Sequence, residues 1–89
     1  MPYIKQIERD EIDIKVAKLA GEIETDGQLN YAISTLLLTN IRYDPKGLSY
    51  QKLNNLMGVL ECVKQEFYRT TVANYEEVKR KQNGDLDRD

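Results

Sequence analysis

Glu61 is the residue whose surroundings most invite chemistry. It is the one charge in Leu56-Met57-Gly58-Val59-Leu60-Glu61-Cys62-Val63. A carboxylate among apolar side chains needs a partner or a raised pKa, and such groups serve as ligand, metal or catalytic carboxylates. On a helix Glu61 falls about 100° from the centre of the Leu53/Leu60/Phe67 stripe. Gly58 and Gln65 lie beside it, and Tyr68 is two turns on. Gly58 costs a helix about 1 kcal/mol against Ala, but its missing side chain leaves room for a backbone or a ligand. The favoured alternative is a structural pair, within the bundle or between subunits, with a Lys, an Arg or a Tyr hydroxyl, the commoner origin of such positions.

Three other chemistries compete for the charged and aromatic residues. Glu61 and Glu66, with Glu76 and Glu77, could gather around Mg²⁺ for metal-dependent hydrolysis. Two-metal chemistry needs facing carboxylates, and no acidic residue lies between Gln28 and Arg42 to supply them. Glu66–Arg69, Glu76–Arg80 and Glu77–Lys81 have the spacing of ordinary surface pairs on a helix. Next, the tyrosines, with Lys64, Arg69 and Lys79, could stack on and pair with a nucleotide. That reading lines a ligand site with Asn30, Tyr31, Glu61, Tyr68 and Arg69. Tyr is also the natural residue at the rim of a small core or interface, and this is preferred. Finally, Cys62 is the single cysteine and there is no histidine. A Ser-His-Asp or Cys-His nucleophile is thereby excluded, and a zinc site disfavoured. No catalytic residue, metal ligand or cofactor is assigned.

The elements that would position these residues are helical throughout. Residues 1–9 read as an extended arm after Pro2. A first helix spans about Glu11–Glu24, capped by Asp10, with Ile12, Val16, Leu19, Ala20 and Ile23 in one stripe. Thr25 and Gln28 have the form of a capping box, with Asp26 as the alternative cap. A second helix follows over about Gln28–Arg42. Asp44-Pro45-Lys46-Gly47 reads as a type I turn, and Ser49 as the next N-cap. The third helical pattern runs from Tyr50 to Gln82, through Leu53, Leu56/Met57, Leu60, Val63, Phe67, Thr71, Tyr75 and Val78. Unbroken it would be about 50 Å long, too long for a domain about 30 Å across. The β-branched Thr70-Thr71-Val72 run weakens a helix, so the chain is expected to bend there or to start a short fourth helix. Asn83-Gly84 ends it.

The expected fold is therefore all-α: a bundle of three long helices, the third bent near residues 70–72 or followed by a fourth. One domain covers residues 1–84 and a disordered tail 85–89. The 56–63 run is apolar nearly all round, which predicts a helix buried on every side. Interface candidates are Val59, Cys62, Val63, Phe67, Val72 and Tyr75. A chain of 89 residues has a small core, and oligomerisation is a common remedy; a homo-oligomer is expected, a dimer favoured. A net charge of −2 gives no general attraction to nucleic acid or anionic membranes. With no run near the ~20 apolar residues of a membrane span and no secretory signal, a cytoplasmic location is expected.

Particular runs carry a resemblance. Leu29-Asn30-Tyr31-Ala32-Ile33, Gly47-Leu48-Ser49-Tyr50, Gly58-Val59-Leu60-Glu61-Cys62-Val63-Lys64-Gln65-Glu66-Phe67-Tyr68-Arg69, Tyr75-Glu76 and Asn83-Gly84-Asp85 resemble a family of small uncharacterised proteins of bacterial, archaeal and phage genomes. Thr70 stands where a second basic residue commonly follows Arg69 in that pattern, which weakens a phosphate-binding reading. The resemblance implies a shared all-α fold and no catalytic residues. The expected function is a non-enzymatic interaction module, self-associating or binding a protein partner, and phage-related. The alternatives are a nucleotide-like ligand binder and, behind it, a metal-dependent hydrolase using Glu61 and Glu66.

Overall fold

A computed structural model describes residues 2–86, which are helical over most of their length. Four α-helices follow in order: α1 Gln6–Glu22, α2 Asp26–Tyr43, α3 Tyr50–Phe67 and α4 Ala73–Asn83. The π-helical turn Tyr68–Val72 joins α3 to α4. The chain divides into two units, Met1–Leu56 and Met57–Asp89.

In the first unit, α1 starts earlier than its stripe suggests. Lys5 is its N-cap, extended and without a side-chain bond; the Glu8 and Arg9 N–H groups donate to the Lys5 carbonyl at 3.0 and 3.1 Å. The extended arm thus shrinks to residues before Gln6. Asp10 is no cap but a helix-interior residue, accepting from Gln6 Nε2 at 2.8 Å. Arg9 Nε reaches back to the Ile4 carbonyl at 2.8 Å and ties down the entry.

The α2 start follows the sequence closely. Gln28 N–H donates to Thr25 Oγ1 at 3.1 Å and Thr25 N–H to Gln28 Oε1 at 3.2 Å, the reciprocal capping box. At the other end Gly47 N–H closes the expected turn on the Asp44 carbonyl at 2.8 Å. Gly47 sits at φ 67°, where a side chain would be strained. Asp44 clasps the turn: Oδ1 accepts the Lys46 N–H at 2.9 Å, and Oδ2 pairs with Lys52 Nζ at 3.3 Å. Lys46 and then Lys52 hold the Asp44 carboxyl below its ordinary pKa. Ser49 Oγ caps α3, accepting the Lys52 N–H at 3.0 Å.

In the second unit the helix widens by one residue instead of breaking. Ala73 N–H donates to the Tyr68 carbonyl, five residues back, the signature of a π turn. Thr70 Oγ1 bonds the Glu66 carbonyl at 2.8 Å, and Asn74 Nδ2 the Thr70 carbonyl at 2.7 Å. These side chains stand beside backbone that the widened turn has rearranged. The expected change at residues 70–72 is therefore a π turn leading into a fourth helix. That helix ends at Gly84, φ 92°, whose N–H donates to the Arg80 carbonyl at 2.9 Å.

The expectation of a wholly buried third helix is overturned. No described residue is buried, and Leu53, Met57, Val59, Val63 and Phe67 of α3 are all exposed. An apolar circumference predicts burial only where neighbours surround it, and within neither unit are there helices enough to do so.

Candidate functional site

The inserted residue decides which side chains share a face. In a regular helix Thr70, Thr71 and Asn74 would follow Phe67 on its stripe, at i+3, i+4 and i+7. With one residue added, Thr71, Val72, Tyr75 and Val78 follow it instead. The apolar line Leu60, Val63, Phe67, Val72, Tyr75, Val78 therefore continues through the turn. Phe67 and Tyr75 are 59% and 64% exposed, Val63 and Val78 57% and 51%. Of the interface candidates, Val63, Phe67, Val72 and Tyr75 lie on this line. Val59 and Cys62 face away from it, Cys62 half-buried.

Glu61, Lys64, Gln65, Phe67, Tyr68 and Val72 border an open, mainly apolar hollow of about 430 Å³. Glu61 is exposed, not enclosed by the apolar run around it. Its Oε1 accepts from Gln65 Nε2 at 3.2 Å and lies 3.9 Å from Lys64 Nζ. In place of the partner expected within the bundle or from another subunit, the nearest cation is thus a neighbour on the same helix. Arg69 pairs with Glu66, as the spacing predicts. Tyr68 bonds to the Glu76 carboxylate, and that bond, then the carboxylate's charge, raises the phenol's pKa. Reading the sequence as a regular helix misses this pair, because the extra residue is what carries Glu76 round to Tyr68.

Asn30 and Tyr31 stand in the first unit. Asn30 Oδ1 accepts from Ser34 Oγ at 3.4 Å. Tyr31 borders a hollow of about 460 Å³ with Leu19 of α1, Ile23 just after that helix and Leu36 of α2. The five ligand candidates are thus distributed between the two units, with Glu61 and Tyr68 on one hollow.

A third hollow, of about 590 Å³, lies along α4 and includes Glu77, Arg80 and Asp85. Arg80 does not take Glu76 as the sequence suggests. It bonds Glu77, Nε to Oε2 at 3.1 Å, and its Nη1 reaches Asp85 Oδ2 at 3.2 Å. The competing i,i+3 spacing of Glu77 and Arg80 was visible; the bridge to Asp85 needed the Gly84 bend. Arg80 holds the Glu77 carboxyl below its usual range, and Glu77 raises the guanidinium in return. Asp85, expected in a disordered tail, is tied to α4 by this bridge, and the Leu86 N–H donates to Asp85 Oδ1 at 2.7 Å; the rest of that expectation, residues 87–89, lies outside the described residues. Among the described residues no group of three or more Cys, Asp and Glu is placed to hold a metal ion, and no helix is long and apolar enough to cross a membrane.

The family model described as "Domain of unknown function (DUF6899)" matches residues 1–86. The chain belongs to this family. No curated protein and no solved structure matches it. For this DUF6899 member the resemblance to an uncharacterised family therefore holds, and the chemistry of the site has to be argued from its own residues.

Proposed function

We propose that this chain is a non-enzymatic, self-associating helical interaction module. The observation that carries the reading is the exposure of large apolar side chains on every α-helix, from Ile12 and Val16 on α1 to Tyr75 and Val78 on α4. Large apolar side chains left exposed on each helix point to surfaces that a partner covers, and a second copy is the partner always at hand. The charged groups support the non-enzymatic part: Glu61, Glu66 and Glu77 are each held by a neighbouring residue. The same reading takes the module to be cytoplasmic, on the strength of its one unpaired thiol, and phage-related, on the strength of the resemblance.

The hollow beside Glu61 favours a second reading, a binder of small nucleotide-like ligands. Phe67 and Tyr68 offer rings for stacking, with Glu61 and Lys64 at the rim.

Native mass spectrometry of the protein as purified separates the two. A clean oligomer is the expected result, and a monomer would count against self-association. A reproducible added mass, lost in folded Glu61→Ala or Tyr68→Ala variants, would establish the ligand reading instead.

A further inference from the structure

Two features of the second unit specify more than a generic apolar face. One is the line from Leu60 to Val78, kept continuous by the π turn. The other is the order of charges along one edge of it. With the extra residue counted, Leu60, Val63, Phe67, Thr71, Tyr75 and Val78 occupy the alternating three- and four-residue positions of a two-helix seam. Glu61, Lys64, Glu76 and Lys79 then all fall on the same edge, in the order minus, plus, minus, plus.

We infer that a second copy docks antiparallel along this line, about a two-fold axis passing near residue 69. The inference rests on the self-association reading above and adds the surface, the direction and the register. Antiparallel pairing stacks Leu60 on Val78 of the second copy, Val63 on its Tyr75 and Phe67 on its Thr71. In that register Glu61 lies two residues, about 3 Å along the axis, from the level of Lys79 of the second copy, and Lys64 is offset equally from its Glu76, within reach of these long side chains. The two-fold axis repeats each pair, so four pairs of opposite charge form. A parallel pair in register sets Lys64 level with Lys64 and Lys79 level with Lys79, and gains none of these contacts.

The line is long enough for the purpose. From Leu60 to Val78 it runs about 27 Å at 1.5 Å per residue. Phe67 and Tyr75 carry about 150–250 Å² each. With the aliphatic side chains and the stems of Lys64 and Lys79, they approach the roughly 800 Å² that each partner contributes to a standard interface. The groups that would pair across the axis have only local partners now. Lys64 is 3.9 Å from Glu61 on its own helix, Lys79 lies 5.6 Å from the centre of the Tyr75 ring, and Glu76 takes the Tyr68 hydroxyl. All are on the surface, where exchanging one partner for another is inexpensive.

The test is a charge-reversal cycle on the full chain, followed by analytical ultracentrifugation, with circular dichroism confirming that each variant is helical. Glu61→Lys alone and Lys79→Glu alone should each raise the dissociation constant about tenfold, since each turns two attractive pairs repulsive. The double variant should return to within about threefold of wild type. In a Cys62→Ser background, Leu60→Cys and Val78→Cys chains mixed under oxidising conditions should form a mixed disulfide, and neither should cross-link to itself. A wild-type chain that is monomeric at tens of micromolar overturns this inference and the self-association reading together. An oligomer in which the double reversal is no better than the singles, or in which Leu60→Cys cross-links to itself, overturns the antiparallel register and leaves self-association standing.

Discussion

The chain leaves α3 at its two ends by contrasting means. Before it, residues 44–49 abandon the helix altogether, and each step is held by a nearby polar group: Asp44 on Lys46 and Lys52, Gly47 on Asp44, Ser49 on Lys52. After it, residues 68–72 never leave the helix. They add one residue, marked by the bond from Ala73 N–H to the Tyr68 carbonyl. The first connection sets where the chain turns. The second sets which side chains face the same way. A turn needs polar chemistry and a positive φ; a change of phase needs only an extra residue and an apolar line to follow.

The largest effects should come from altering that count. One Ala inserted between Thr70 and Thr71 turns Val72, Tyr75 and Val78 about 100° away from Phe67. Each Val removed from a buried contact forfeits about 1.5–3 kcal/mol, so the oligomer should weaken well over tenfold while circular dichroism stays helical. Deleting Thr71 should do the opposite. The turn becomes ordinary α-helix, the line keeps its phase, and the oligomer survives in sedimentation. Equal behaviour of the two variants would show that the count at this turn has no bearing on association.

The other connection should answer to conformation rather than count. Gly47→Ala places a side chain at φ 67°, which costs about 1–2 kcal/mol, and thermal melts should show a lowered Tm with no change in subunit number. A shift in subunit number would mean that the two connections are not independent.

The smallest effect concerns Asp44. Its carboxyl is held below the ordinary aspartate value, chiefly by the Lys46 N–H and then by Lys52. A folded-state pKa below the unfolded one adds stability above the unfolded value, near pH 4, that fades as pH falls through the folded value. Asp44→Asn should therefore lower stability modestly at neutral pH, converge with wild type in acid, and so flatten the acid limb of the stability profile. An unchanged acid limb would remove the clasp from the account.

What the sequence made legible follows the same division. Thr25 with Gln28, Asp44 to Gly47, and Ser49 were readable because both members of each hydrogen bond lie within a few residues. Thr70-Thr71-Val72 marked the right place for a change in the third helix, since β-branching is local. The kind of change was not readable, because a π turn and a bend weaken the same residues. The start of α1 was missed: Lys5 offers no capping side chain, so the apolar stripe, which begins later, set the boundary. Glu61 misled for a different reason. Its apolar neighbours imply burial, but burial depends on what surrounds a helix, and no sequence window contains that. Tyr68 and Glu76 were seen separately and not as a pair, since their meeting depends on the inserted residue.

The open apolar faces have a consequence for how the protein responds to its own abundance. When folding is completed by another copy, the folded state gains about 1.4 kcal/mol for every tenfold rise in concentration. Its melting temperature then depends on dose: a dilute chain is poorly held and exposed to proteases, and an abundant one is durable. Such a protein would be cleared soon after its synthesis stops.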